Sequence, residues 1–531
     1  MKTSKQISLV HPGYAEYAYR WDYYMRSYMG AEEYRDGAYL RKYIAEDQSP
    51  GDQYQQRLLD TALQNHVRQT VDAYRSFLFR NPPSRTLGQL AEDPFVRDFI
   101  ENADLDNTTL NDFMREVNDM VGIYGGAWVG VDRPSYQVDT VAQEMEEGIR
   151  SYLTLYAPTN VRDWGYKRKV NGQKVLDYIK IVDEQYHDYD VIRVWHPEVV
   201  EVYKVAKGRS EYSGSQLSVT ASVKDTLNID YGDILEYNEY PNPLGYVPFI
   251  HVQTDKSFHK GIGTSAVGDV CDLQREIYNL TSELYQTIRI SSAPSIVAEP
   301  AAEINGGAGA IITIPETTTN TPYLLQPTGA SVDGILKSIE QKVDAIDDLT
   351  HLTAIKAKKG AQSGVSLQVE KEMLNAKLAD TAGVLESAEK KIWKMWFDWQ
   401  GITPDEDFYI SYEKKFDLRD KHQELALFDK AVKTVPNEKF QSYMNQEIAR
   451  LMITDESDLQ EILDSMAPKM ELDLDMPHPP MESVEDMVMH MRKMIDQGYS
   501  DEQIIEIHPE MQSFFDSKVE ENGDQEQDNQ E

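Results

Sequence analysis

Residues 265–292 read SAVGDVCDLQREIYNLTSELYQTIRISS. Val270, Leu273, Ile277, Leu280, Leu284 and Ile288 recur every three or four positions, the spacing that places an apolar stripe on one side of a helix. Residues 331–352 repeat the pattern with Leu336, Ile339, Val343, Ile346 and Leu349. Between these helices the chain reads as extended: Ile296 and Val297, a Gly-rich turn from Asn305 to Gly309, then Ile311, Ile312 and Ile314, with Thr-rich and Pro-rich coil beyond. A polar loop, 354–364, carries Lys356, Lys358 and Lys359. The longest predicted helix follows over 365–400, with Leu374, Leu378, Leu385, Ala388, Ile392, Met395 and Trp399 on one face. At 1.5 Å per residue it would extend ~54 Å. Gly401 is placed to end it.

Upstream, residues 12–45 read as helix and loop rich in tyrosine, suited either to packing or to a subunit interface, where Tyr is enriched. One helix is predicted over 53–80, stopped by Asn81-Pro82-Pro83, and another over about 107–121. Residues 121–131 favour a glycine-interrupted strand. Further strands are expected at 152–157, 174–183, 190–195, 198–206, 233–238 and 247–252, rich in Val, Ile and Tyr between turn residues. Gly261-Ile262-Gly263 reads as a flexible strand-to-helix junction with Thr264 or Ser265 as N-cap, since the third glycine of a dinucleotide turn is missing. Downstream, a strand is expected at 407–413 and helices at about 419–433, 437–451, 455–466, 482–496 and 500–516. The tail after Lys518 is expected to be disordered.

The 531 residues contain 53 Lys and Arg against 90 Asp and Glu, a formal net charge of −37. Residues 455–531 alone hold 23 acidic and four basic side chains. Tight, permanent gripping of DNA phosphates normally requires the opposite balance. With Cys271 as the single cysteine, an internal disulfide is impossible and a cysteine zinc site improbable. No signal peptide and no apolar run of membrane-spanning length are legible. The chain has no P-loop, no GxSxG elbow and no HExxH. His187 and His196 lie nine positions apart and read as ordinary histidines. The composition and motifs call for no cofactor and no metal, and point away from an enzyme.

The order of elements from 241 to 400 resembles the core of tailed-bacteriophage portal proteins, the head-to-tail connectors. The segment Pro243-Leu244-Gly245-Tyr246-Val247-Pro248, and the helix entry Asp269-Val270-Cys271-Asp272-Leu273-Gln274-Arg275-Glu276-Ile277, carry the likeness. The resemblance implies a helix-rich α+β fold with these parts: a wing over 1–260, β-rich from about 121; a first stem helix, 261–292; a small β clip, 293–330; a second stem helix, 331–353; a tunnel loop, 354–364; a long wing helix and strand, 365–418; a helical crown, 419–516; and an acidic tail, 517–531. It implies a homo-oligomeric ring, usually of twelve subunits, at one capsid vertex of the virion, assembled in the host cytoplasm. Its partners would be double-stranded DNA in the channel, the terminase large subunit, head-completion and tail adaptor proteins, the major capsid protein and scaffolding protein. It implies no membrane and no catalysis. The helix stripes named above would pack the stem, Ile296, Val297, Ile311, Ile312 and Ile314 would build the clip interface, and Lys356, Lys358 and Lys359 would face the DNA. Two other readings stand beside it: a different acidic virion component of tail or scaffold, and a metal-dependent nuclease using carboxylates without motif spacing.

Overall fold

A computed structural model describes residues 2–44, 46, 52–134, 148–207, 231–257, 259–292, 295–297, 303–304, 312–313, 323–325, 330–354, 364–404, 408–416, 430, 438–452 and 462. The fold is helix-rich α+β. The chain divides into two compact units, Met1–Leu418 and Arg419–Glu531.

The first unit opens with α1 (Ser4–Ser8), α2 (Pro12–Met29), α3 (Ala31–Tyr34), α4 (Asp52–Asp60) and α5 (His66–Leu78). The single helix predicted over 53–80 is therefore two. Asn65 causes the restart, because its side chain accepts the Arg68 amide and N-caps α5. Next come β1 (Ser84–Thr86), α6 (Pro94–Glu101) and α7 (Leu110–Tyr124). Val121 to Tyr124, expected in a strand, complete α7 instead. Gly125 then turns left-handed at φ 86° and its amide bonds Val121 O, closing the helix.

Strands β2 (Gly126–Asp132), β3 (Tyr152–Tyr156), β4 (Val161–Arg168), β5 (Lys174–Gln185), β6 (Tyr189–Trp195), β7 (Val199–Lys207), β8 (Tyr231–Pro241) and β9 (Phe249–Gln253) form two antiparallel sheets, ordered β3-β2-β9 and β4-β5-β6-β7-β8. Sequence reading missed β4, whose pairing with β5 slips register at Val161/Asp163 and again at Gly165/Tyr166. Each slip breaks the alternation by which a strand is recognised. Arg193 on β6 ties the two sheets together, reaching Asp132 of β2 and Asp183 of β5 at 2.8 Å each.

The Gly261–Gly263 junction is tight rather than flexible. A Cβ on Gly263 would lie 1.9 Å from the Gly125 carbonyl oxygen, so the two backbones meet where side chains would not fit. Neither Thr264 nor Ser265 caps the next helix, whose first hydrogen bond runs from the Cys271 amide to Val267 O. Ser265 instead donates to Ile123 O at 2.6 Å and accepts the Val267 amide at 3.1 Å, stitching the junction to the end of α7.

The remaining elements of this unit are α8 (Gly268–Ser292), β10 (Ser295–Val297), β11 (Glu303–Ile304), β12 (Ile312–Thr313), β13 (Tyr323–Leu325), α9 (Ala330–Thr350), a 3-10 turn at Leu352–Ala354, α10 (Gly364–Gln400) and β14 (Tyr409–Ser411). The 37 residues of α10 extend ~55 Å. Gly401, at φ 68°, ends it, and the Ile402 amide reaches back to Phe397 O. In the second unit, α11 (Glu438–Met452) is described. The helices expected over 482–496 and 500–516, and the tail after Lys518, lie outside the described residues.

Two large apolar cores share β2, which is buried along its whole length. Ala127, Val129 and Val131 enter one core with α7 and α10, and Trp128 enters the other with α2, α5, the five-stranded sheet and α8. The end of α10 is fixed by Trp393, Trp396 and Trp399. Their indoles donate to Glu389 (3.2 Å), Ser151 O (3.3 Å) and Val131 O (2.9 Å), so large aromatic surface is buried with every N–H satisfied.

Beneath these indoles lies a charged clamp. Glu389, wholly buried, is held by Arg85 of β1 and by the hydroxyl of Tyr412, just past β14. Strands β1 and β14 pair antiparallel, so residues more than 300 positions apart in sequence close over one helix. Next to it Glu386 accepts from Lys390 (2.7 Å), Lys414 (2.9 Å) and the Tyr412 amide (3.3 Å). Burial alone would raise the Glu386 pKa, but these donors outweigh it and hold it at about 2. Because the folded value lies below the ordinary one of 4.5, this carboxylate stabilises the fold above pH 4.5 and loses that contribution as pH falls toward 2. Thermal unfolding followed across this range should show Glu386→Gln destabilised at neutral pH and less sensitive to acid than the native chain; an unchanged acid profile would assign the loss elsewhere.

Candidate functional site

The functional reading centres on α8, α9 and the strands between them. Strand β10, which follows α8, pairs antiparallel with β13, which precedes α9; inside that pair, β11 pairs antiparallel with β12. The insert is thus a nest of two antiparallel pairs, and it returns the chain so that α9 runs back along α8. Glu276 in the first third of α8 meets Lys342 in the second half of α9, as an antiparallel pair requires. Ile296, Val297 and Ile312 lie in these strands. Ile311 and Ile314 lie outside the described residues.

The predicted packing stripes divide along the length of the pair. Near the body, Val270, Ile277, Leu284 and Ile346 are buried, and Leu273, Ile339 and Val343 are partly buried against the same core. Leu280 is half-buried. Toward the strand nest the stripe comes out of the core: Ile288 is 43% exposed and Leu336 42%. These two are not buried within one chain, contrary to the sequence expectation, although α8 still meets α4 at this level through Arg289 and Asp60 (2.9 Å). Tyr285, also exposed, shares with Ile288 a cleft of about 400 Å³ between α4 and α8, lined as well by Arg57, Asp60 and Arg289.

What anchors α8 to the body was not legible in the sequence. Arg57 on α4 is buried and donates to both oxygens of Glu46 (3.0 and 2.8 Å) and to Ser282 on α8 (3.1 Å). Gln274 accepts the Val67 amide and donates to Ser27 O, each at 3.0 Å. Asn279 accepts the Arg41 amide and donates to Tyr39 O, each at 2.9 Å. Most of the tyrosine-rich segment is packing: Tyr34 and Tyr39 pack with rings tilted by 31°, and Tyr34 sits edge-on to Tyr278. Tyr19 and Tyr43 stay exposed. Capping and periodicity could not reveal the ties to α8, since each joins residues more than 200 positions apart.

The face of α9 turned away from α8 is charged. Asp333, Lys337, Glu340, Asp344 and Asp348 recur every three or four residues and are exposed, four acids and one base on one stripe. Lys356, Lys358 and Lys359 lie outside the described residues, between the 3-10 turn and α10.

Cys271 is buried and its thiol pushed up to about 12, first by burial, which leaves it unreactive at neutral pH. His251 packs beside Trp128, and desolvation pushes its pKa down to about 4, so it is neutral. His187 stands in solvent beside Asp188, while His196 contacts Lys2 and Glu201. Among the described residues no group of three or more His, Cys, Asp or Glu is placed to hold a metal ion, and no helix is long and apolar enough to cross a membrane.

No family model matches the chain, and no curated protein matches it. Solved structures do. The neck of an empty gene transfer agent particle, computed with C6 symmetry, superposes with a TM-score of 0.36 at 10% identity, covering 75% of this chain and 94% of that one. A chain from the virion of the native gene transfer agent gives 0.34 at 10% identity with the same coverage. The neck of the native particle, computed with C12 symmetry, gives 0.31 at 8%, covering 71% of this chain and 89% of that one.

Proposed function

We propose that this chain is a portal subunit: it assembles with copies of itself into a ring at a capsid vertex, and DNA passes through the centre during packaging and ejection. The observation that carries the reading is the antiparallel pair α8–α9, capped by a nest of strands and followed by the 55-Å helix α10. The helix pair would form the stem, the nested strands the clip, and residues 354–364 the tunnel loop. The clip would dock the terminase large subunit and later the head-completion and tail adaptor proteins, with the major capsid and scaffolding proteins around the ring. The role would be structural, in the virion and in the host cytoplasm during assembly.

Two features of one chain support a ring. Ile288 and Leu336 are apolar and more than 40% exposed in the single chain, so burial against a neighbour would remove them from water. The acidic stripe of α9 suits a channel wall, because like charge keeps a duplex sliding where phosphate-binding cations would hold it. The lysines at 356, 358 and 359 would then make weak, repeated contacts that steady the DNA.

Native mass spectrometry with negative-stain imaging should give a closed ring of about twelve 60.8-kDa chains with a central hole; a compact dimer or an open filament would refute the reading. Replacing Ile288 and Leu336 together by Ser should leave thermal unfolding of the separated chain within about 1 kcal/mol of native while weakening the ring. A ring of unchanged stability would show that these residues face solvent in the assembly. Changing Lys356, Lys358 and Lys359 to Ala should preserve the ring and alter DNA packaging or retention in infection, and loss of the ring would place those lysines in an interface instead.

A further inference from the structure

The five-stranded sheet carries opposite charge at its two ends. The hairpin joining β4 and β5, residues 166–174, reads YKRKVNGQK and holds Lys167, Arg168, Lys169 and Lys174 with no acid, in a chain whose net charge is −37. All four are exposed. The turn is well formed: the Gly172 amide bonds Lys169 O at 2.9 Å, the Lys169 amide bonds Gln173 O at 2.8 Å, and Gly172 takes φ 81°. Lys260 joins the patch with its ammonium 3.7 Å from the centre of the Tyr166 ring. At the apex Val170 is fully exposed. None of this serves the fold, since like charges gathered on one tip repel one another.

At the far edge of the same sheet, β8 reads YGDILEYNEYP, with three acids and no base. Asp233, Glu236 and Glu239 are exposed, and Leu235 among them is 56% exposed. Among the described residues β8 pairs with β7 alone and β4 with β5 alone; the N-terminal segment meets only one end of each outer strand, the Tyr231 amide donating to Ser8 Oγ (3.2 Å) and Arg162 O accepting the His11 amide (2.9 Å). The two edges stand roughly 19 Å apart across five strands, too far to satisfy one another within a chain.

We propose that the basic β4–β5 hairpin of one subunit docks on the acidic β8 edge of the next, Val170 meeting Leu235 between the charges. The proposal rests on the ring reading above and names the contact that would close it. The two patches are different surfaces, so the contact is head-to-tail, the class that generates rings. It neutralises the basic tip and covers an open strand edge. A second copy fits better than a nucleic acid: an exposed valine at the apex gains nothing from phosphate, and the surrounding net negative charge repels a polyanion.

Charge reversal in the full chain tests it. The hairpin variant (Lys167→Glu, Arg168→Glu, Lys169→Glu, Lys174→Glu) and the edge variant (Asp233→Lys, Glu236→Lys, Glu239→Lys) should each associate at least ~10-fold more weakly at low ionic strength, as read by mass photometry. An equimolar mixture should recover assembly with both chains in equal number, and a chain carrying both reversals should assemble alone. Val170→Asp, at a position with no packing to lose, should weaken association without moving the thermal midpoint. Reversed variants that assemble like the native chain would overturn the interface while leaving the ring reading intact. A native chain that stays monomeric at all concentrations would overturn both. Native assembly combined with lost retention of duplex DNA in the hairpin variant would reassign the tip to nucleic acid and overturn the proposal.

Discussion

Strand β2 is the constraint on which the rest of this structure depends. It is buried along both faces, so every second residue must find a different core. Ala127, Val129 and Val131 need α7 and α10 on one side, and Trp128 needs the five-stranded sheet and α2 on the other. The strand follows directly on Gly125, where a left-handed turn brings the backbone against that of Gly263. One close approach thereby fixes three directions: the exit from α7, the path of β2 and the start of α8. Substituting a side chain at either glycine would force backbones apart.

From that junction α8 leaves the body, and the tension between anchorage and projection shapes the functional end. Through Ser282 it is held by buried polar ties to Val67, Ser27, Tyr39 and Arg57. Such ties specify position more than they add stability, because each buried polar group must be matched. Its second half carries the apolar stripe past the buried Leu284 to Ile288, which is exposed, as is Leu336 on α9. In the proposed ring, neighbouring copies would cover that apolar surface.

Charge tells a parallel story. The protein is acidic overall, yet its cations are not evenly mixed: one hairpin tip is basic, one edge strand is acidic, and the outer stripe of α9 is acidic again. Within the fold, buried charge is matched in sets such as Glu389 with Arg85 and Tyr412, or Arg193 with Asp132 and Asp183, while buried Lys180 and Arg150 are held by backbone carbonyls.

The sequence by itself determined the helix pair α8–α9, the long helix α10 and its end at Gly401, because these depend on periodicity and on residues within a turn of one another. It also determined the charge balance and the missing catalytic motifs. Tertiary structure decided what required distant partners. The 53–80 stretch broke at Asn65, whose capping bond outweighed a continuous apolar period. Val121 to Tyr124 joined a helix because the adjoining backbone needed Gly125 for its turn. Strand β4 hid behind two register slips, β1 was too short to signal, and the flexible-looking Gly261–Gly263 proved to be a packed crossing, whereas β14 fell within the strand expected at 407–413. The candidate site divides in the same way: the helix pair was legible because its pattern is local, whereas the place along it where burial stops depends on where the rest of the molecule ends.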